Sequence, residues 1–174
     1  MNKIQTLLTT TVLLFGISGS SFADFDDGYD AYQKGDYKTA FNEWKSLAKQ
    51  DHVYAQLNLG MAYRDGLGVE KNAKEAFKWY EKAASRGSDD GLHHLGNSYA
   101  YVKGVMKNKA LAMKLYKEAA DNGHAASMYS MGGMHYTNKD YKKAAEWFKR
   151  AYERGDLYKK FTGLRDSLKM VFFG

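Results

Sequence analysis

The chain contains no cysteine and no proline. Without cysteine there can be no disulfide, so the fold must be held by packing alone. A lipid-anchored export signal is excluded as well, because it needs a cysteine at its cleavage point. The absence of proline suits a chain of closely spaced helices, since proline breaks a helix interior. No long hydrophobic run is present. The most apolar stretch, Leu7 to Ile17, is shorter than the roughly 20 residues a membrane-spanning helix needs. A strong charge of either sign is also missing. Against 20 acids stand 26 lysines and arginines, a formal charge of +6. The cations are scattered and form no run, which argues against nucleic acid as a partner.

What is present begins with the first 23 residues. A cation at Lys3, the apolar stretch Leu7 to Ile17 and the sequence Ser21-Phe22-Ala23 have the order of a cleavable secretory signal. Cleavage is expected after Ala23, giving a periplasmic or secreted product that starts at Asp24. The remaining length suits one domain. Aromatic residues make up 15% of the chain, with 14 tyrosines. Such rings supply large buried areas to small structural units.

The chain also repeats itself. Gly60, Gly96 and Gly132 are spaced by 36 residues, as are Gly87 and Gly123, Tyr80 and Tyr116, and the pairs Ala83-Ala84 and Ala119-Ala120. A period of this length marks a solenoid of small stacked units. Two helices can be read in each unit. In the second repeat, helix A runs from about His52 to Arg64, with Ala55, Leu59, Gly60 and Tyr63 on its inner face. Helix B runs from about Ala73 to Arg86, with Ala76, Trp79, Tyr80, Ala83 and Ala84 as its apolar stripe. Gly87 is its expected left-handed stop. Gly60 lies in mid-helix, where glycine costs about 1 kcal/mol relative to alanine, so a close helix approach is the expected reason for it.

The third repeat carries Leu95, Gly96, Tyr99, Ala112, Leu115, Tyr116 and Gly123 at the same places. The fourth keeps Met131, Gly132, Ala144, Trp147, Phe148, Ala151 and Gly155. A degenerate first repeat shows Gly28, Tyr32, Gly35, Tyr37, Ala40 and Trp44. The inter-helix connection is longer by four residues in the inner repeats (Gly60 to Ala76, Gly96 to Ala112) than in the outer ones (Gly28 to Ala40, Gly132 to Ala144).

With its Ala55-x3-Leu59-Gly60-x2-Tyr63-x2-Gly66-x-Gly68-Val69 run followed by Ala76-x2-Trp79-Tyr80-x2-Ala83-Ala84-x2-Gly87, the second repeat resembles the Sel-one-like repeat (SLR) family. The short-loop outer repeats resemble tetratricopeptide repeats. The resemblance covers about Phe25 to Gly155. It implies an all-α, right-handed α-solenoid of about four helix-turn-helix repeats over residues 24–155. Two positions depart from the pattern: Val102 stands where Gly66 stands one repeat earlier, and His135 replaces the helix A tyrosine. Beyond Gly155, residues 156–174 hold Leu157, Phe161, Leu164 and Leu168 at helical spacing. This stripe reads as an amphipathic capping helix closing the last repeat. A membrane-surface helix is the alternative, since the segment is cationic and ends in Val171-Phe172-Phe173.

Chemistry is thinly represented. Ser46-Leu47-Ala48-Lys49 matches the Ser-x-x-Lys nucleophile pattern of the penicillin-binding and β-lactamase class, to which some SLR proteins have been likened. The Ser-Asp-Asn and Lys-Thr-Gly partners are missing. His93 and His94 are adjacent and would point about 100° apart on a helix, so they do not form a metal pair by themselves. The loop Asp65-Gly66-Leu67-Gly68 has too few oxygen ligands for calcium. No catalytic residue, metal or cofactor is expected.

A binding surface remains. Helices A of tetratricopeptide-like solenoids line a concave face. Positions three before, one after and four after the shared glycine are expected to point into it. The expected partner-binding residues on and beside those positions are Tyr29, Tyr54, Leu57, Asn58, Met61, Arg64, Asp90, His93, Asn97, Tyr101, Tyr129, Gly133 and Tyr136. Tyrosine and methionine offer contact area at low entropic cost. The favoured reading is an exported adaptor that holds a peptide or protein of the cell envelope. An immunity protein that neutralises a periplasmic toxic effector is the second, and a cell-wall enzyme using Ser46 is the third. A monomer is expected, with the C-terminal tail as the place where a dimer would form.

Overall fold

A computed structural model describes residues 20–101 and 106–154, with side chains from residue 25 onward. The beginning of the expected export signal, Val102 and the stripe after Gly155 expected to cap the last repeat lie outside the described residues. Among the described residues there are eight α-helices and no strand: α1 (Ser20–Gln33), α2 (Tyr37–Lys49), α3 (Val53–Asp65), α4 (Ala73–Ser85), α5 (Asp89–Ala100), α6 (Lys109–Asp121), α7 (Ala125–Thr137) and α8 (Tyr141–Arg154). Odd-numbered helices are the A helices and even-numbered ones the B helices; α1, α2 and α3 pack in sequence, as do α4, α5, α6, α7 and α8. This is the α-solenoid class of helix-turn-helix repeats. The chain forms two compact units, one holding α1 to α3 and the other α4 to α8.

The helix boundaries follow from local chemistry. Three A helices start at His52, Ser88 and His124, one repeat period apart. Each side chain accepts a hydrogen bond from the backbone N–H three residues on, at Ala55 (3.2 Å), Gly91 (3.1 Å) and Ser127 (3.3 Å). The B helices are capped in the same way by Asp36, Asn108 and Asp140. Gly87 and Gly123 stop α4 and α6 with φ of 82° and 100°. The equivalent position after α2 is Asp51, left-handed at φ 68° without being glycine.

The longer inner connections close in the same manner in both repeats. The Asn72 N–H donates to the Tyr63 carbonyl (2.8 Å), and the Asn108 N–H donates to the Tyr99 carbonyl (2.9 Å). In the first of these, Gly66 and Gly68 take the left-handed region (φ 78° and 70°), and a Cβ on Gly68 would collide with the Tyr37 backbone.

The shared A-helix glycine has a clear cause. A Cβ on Gly96 would stand 2.6 Å from the Tyr116 ring, on Gly132 2.5 Å from Phe148, and on Gly28 2.7 Å from Trp44. In each case an aromatic ring of the following B helix lies flat on the A-helix backbone. The glycine gives up helix propensity, and the burial of a ring more than offsets that loss. A second ring pair ties each of two B helices to the next A helix: Phe41 meets Tyr63 and Phe77 meets Tyr99, both edge to face at 5.3 and 5.4 Å.

Candidate functional site

The position directly after the shared glycine is outward in every repeat: Tyr29 is exposed, and Met61, Asn97 and Gly133 are partly so. Gly133 has open space where a Cβ would be, unlike its neighbour Gly132. The position four after the glycine is mixed. Tyr32 and Tyr136 are exposed and Arg64 is partly exposed, but Ala100 is buried.

The position three before the glycine does not form an open face. Leu57, expected on the binding surface, is 6% exposed and belongs to the core. Two equivalent residues pack on the capping residue of the next A helix within their own unit. Phe25 stacks on His52 with ring centroids 4.9 Å apart, and His93 lies against His124 at 5.3 Å.

In the first unit the expected residues come together around a cavity. Tyr29 and Tyr32 from α1, Trp44 from α2, and Asn58, Met61 and Arg64 from α3 line a hollow of about 180 Å³. That volume is below the usual range for a drug-sized ligand and fits a single side chain. The rings pack on one another, with Tyr32 5.4 Å from Tyr37 and 5.7 Å from Trp44. Trp44 is buried, and its Nε1–H has no acceptor. Within the lining, Arg64 pairs with Asp65. Tyr54, 64% exposed, leans on Phe25 and His52.

In the second unit the expected residues are drawn into a hydrogen-bonded network. His124 Nε2 contacts Asp90 Oδ1 at 3.0 Å, and His124 Nδ1 contacts Ser127 Oγ at 2.8 Å. His93 Nδ1 reaches the same oxygen at 3.2 Å. Burial, with His94 and His124 adding like-signed repulsion, pulls the His93 imidazole down to about 4. The bond from His124 holds the Asp90 carboxyl below its ordinary value. Asn97 accepts a 2.7 Å bond from the Tyr116 hydroxyl, and burial pushes that phenol up. Tyr129 packs on Phe148 and beside Met128. Tyr101 and Tyr136 remain exposed.

The order Ser127, His124, Asp90 has the connectivity of a nucleophile, a base and an orienting acid. It does not work as one. Ser127 is 0% exposed, so no substrate carbonyl can reach its Oγ. His124 Nδ1 is already engaged by the Ser127 backbone N–H, which makes the group a helix cap. The sequence signal was His124 with serine three residues later, a capping spacing that the sequence reading passed over. Ser46 stands exposed on α2, its carbonyl accepting from the Gln50 side chain. Among the described residues no group of three or more histidines and carboxylates is placed to hold a metal ion, and no helix is long and apolar enough to cross a membrane.

Comparison with known proteins bears on the repeats. Residues 53–88 and 89–124 each match the model of the Sel1 repeat, and residues 107–158 match a tetratricopeptide repeat. A solved Sel1 repeat protein from Oxalobacter formigenes is 38% identical, with a TM-score of 0.66 over 74% of this chain and 55% of its own. A protective antigen present in uropathogenic Escherichia coli strains, displaying an SLR fold, is 29% identical with a TM-score of 0.67. The match covers 79% of this chain and 31% of that one. Among curated proteins, an exopolysaccharide production negative regulator of Rhizobium leguminosarum bv. viciae is 33% identical over 78 residues, which is 44% of this chain and 29% of the regulator. The chain thus spans a minor part of the curated relative and about half of the first solved one. Repeats of this kind present extended surfaces to other proteins. By its repeats, their capping and their glycine-to-ring packing, the chain belongs to the Sel1-like repeat proteins, relatives of the tetratricopeptide repeat.

Proposed function

We propose that this protein is an exported adaptor that holds a peptide segment or a partner domain of the cell envelope on the outward faces of its A helices. The observation that carries the reading is the first unit's cavity, where Tyr29, Tyr32 and Met61 stay accessible around a hollow of side-chain size. Large, amphipathic rings left partly in solvent are typical of surfaces that anchor partners. Export is supported by Lys3, the apolar stretch Leu7 to Ile17 and Ser21-Phe22-Ala23. Cleavage after Ala23 would remove the first turn of α1 and leave Phe25, Tyr29 and Tyr32 in place.

Two measurements test the proposal. The intact mass of protein recovered from the periplasmic fraction should correspond to a chain starting at Asp24. A mass including Met1 would refute export by this signal. Cross-linking in the envelope should give a defined partner with the native protein and lose it with a Tyr29→Ala, Met61→Ala double variant. Equal capture by both proteins would refute the use of this face.

A further inference from the structure

Helix α7 is capped by a histidine, and an imidazole nitrogen accepts a hydrogen bond only when it carries no proton. The Ser127 backbone N–H can only donate, so His124 Nδ1, 3.3 Å away, presents a lone pair. The ring proton is therefore on Nε2, where it donates to Asp90 Oδ1 at 3.0 Å. Ser127 Oγ lies 2.8 Å from the same Nδ1, so the hydroxyl donates to it too. With its one proton used, Oγ accepts from His93, 3.2 Å away, and His93 carries its proton on Nδ1. Four contacts thus fix both tautomers. Ser127 is fully buried, so no water replaces a partner that is lost.

One added proton cannot be fitted into this pattern without changing it. On His124 Nδ1 it turns the acceptor of two donors into a donor. The Ser127 N–H then keeps only its 3.1 Å bond to the His124 carbonyl. The hydroxyl must turn to accept from His124, and its own proton needs a new acceptor. His93 Nδ1 supplies one if its proton leaves to water and another returns on Nε2. The cluster gains one proton in total, and it resides on His124.

The surrounding groups direct that proton to His124. Asp90 of α5 stands on its Nε2, so the imidazolium forms an ion pair there. Asp89, beside Asp90, is engaged by the Asn122 side chain. Asp121 of α6 pairs with Lys117, and Arg154 of α8 lies against Gly123. His93 is enclosed by the rings of His94, His124 and Tyr116 at 5.6, 5.3 and 5.6 Å, which keeps it neutral. His94 stacks on Tyr80 of α4.

We propose that His124 is a proton-operated cap: uptake of one proton at Nδ1 releases the first turn of α7 and reverses the Ser127 hydroxyl from His124 to His93, while Asp90 keeps hold of Nε2. One repeat earlier, Ser88 holds the Gly91 N–H through a hydroxyl that does not titrate. Acid therefore loosens the start of α7 and spares the start of α5.

Long-range nitrogen–proton correlation spectra of the imidazoles in isotope-labelled, full-length protein read the tautomers directly. The pH is stepped from about 8 to about 5, across the ordinary imidazole range. At the start His124 should carry its proton on Nε2 and His93 on Nδ1. At the end His124 should be doubly protonated, and His93 neutral with its proton on Nε2. After correction for the intrinsic rate, the Ser127 amide should exchange about 2- to 5-fold faster at the lower pH, the low end for a lost N-cap. The Gly91 amide should not change. His124→Asn, which caps without titrating, should protect Ser127 equally at both pH values. His93→Gln should leave the Ser127 response in place. An Nδ1–H tautomer of His124 at the higher pH overturns the inference on the native protein alone. So does a His124 that stays neutral, a His93 that keeps its Nδ1 proton, or an equal rise at Gly91. A Ser127 response that survives in His124→Asn, or vanishes in His93→Gln, overturns it as well.

Discussion

The same repeat positions do different work in the two units. In the first, the residues around the A-helix glycine leave two tyrosines, Tyr29 and Tyr32, partly in solvent around a hollow. In the second, the equivalent face is occupied by its own hydrogen bonds: His93, His124, Asp90 and Ser127 form one network, and Asn97 accepts from Tyr116. A polar residue at a groove position is thus not a ligand contact by virtue of its register. Where a neighbour inside the fold satisfies it, it stabilises the fold. Where nothing does, it is available to a partner. This contrast gives His93, Asn97 and Asp90 partners inside the fold and leaves Tyr29 and Met61 accessible.

The largest effect that would sharpen the contrast lies in the buried ring of the second unit. Tyr116→Ala should destabilise the protein by about 3–5 kcal/mol, as expected for removing a large aromatic core side chain. Tyr29→Ala, exposed by half, should stay within about 0.5 kcal/mol while partner binding is lost. Urea unfolding of both variants checks this. Comparable losses in the two would mean that the first unit's rings are structural too.

Adjacent glycines provide the next test. Gly132→Ala must push its methyl into Phe148 and should cost about 1–3 kcal/mol. Gly133→Ala meets nothing and should stabilise α7 by about 0.5–1 kcal/mol. Thermal unfolding should shift in opposite directions, and a shared sign would contradict the ring-on-glycine packing.

Acid should act on the second unit through His93. Its imidazole titrates near 4 in the fold and near 6.5 when unfolded, so the unfolded chain takes up the proton first as pH falls. Stability contributed by neutral His93 is complete above about pH 6.5, is lost progressively toward about 4, and changes no further below that. The loss should be on the order of 1–2 kcal/mol, allowing for the partial exposure of the ring. Asp90, held low by His124, adds its own loss only below its ordinary range. His93→Gln should flatten the interval from 6.5 to 4. An unchanged slope in that variant would assign the effect elsewhere.

The smallest expected change is at Lys139, left-handed at φ 62° where the first repeat has Gly35 at φ 80°. Lys139→Gly relieves that conformation and should stabilise by about 0.5 kcal/mol. Chemical denaturation precise to a few tenths of a kcal/mol would resolve it, and a destabilised variant would show that the lysine stem packs usefully.

Much of this architecture was readable from spacing. The 36-residue period, the two helices of each repeat, the close approach at the helix A glycine and the left-handed stop at Gly87 all depend on contacts between residues a fixed distance apart, so composition at that distance reveals them. The inner loops were legible for the same reason, since one carbonyl of helix A and one amide of the next cap close both of them. The binding face was legible only in part. The register predicted that Leu57 and Met61 would share a surface, yet Leu57 is core and Met61 lines the hollow. Burial at that register depends on neighbouring helices, which a one-helix projection does not include. Likewise, a histidine three residues before a serine is ambiguous in sequence, and only the positions of Asp90 and His93 turn it into a satisfied cap. The sequence by itself therefore determined the repeat, its helices and its family, because these arise from short-range periodic chemistry. The tertiary structure alone decided which polar groups are satisfied within the fold and which remain open to a partner, because satisfaction is set by neighbours that lie about 30 residues apart in the chain and only a few ångströms apart in space.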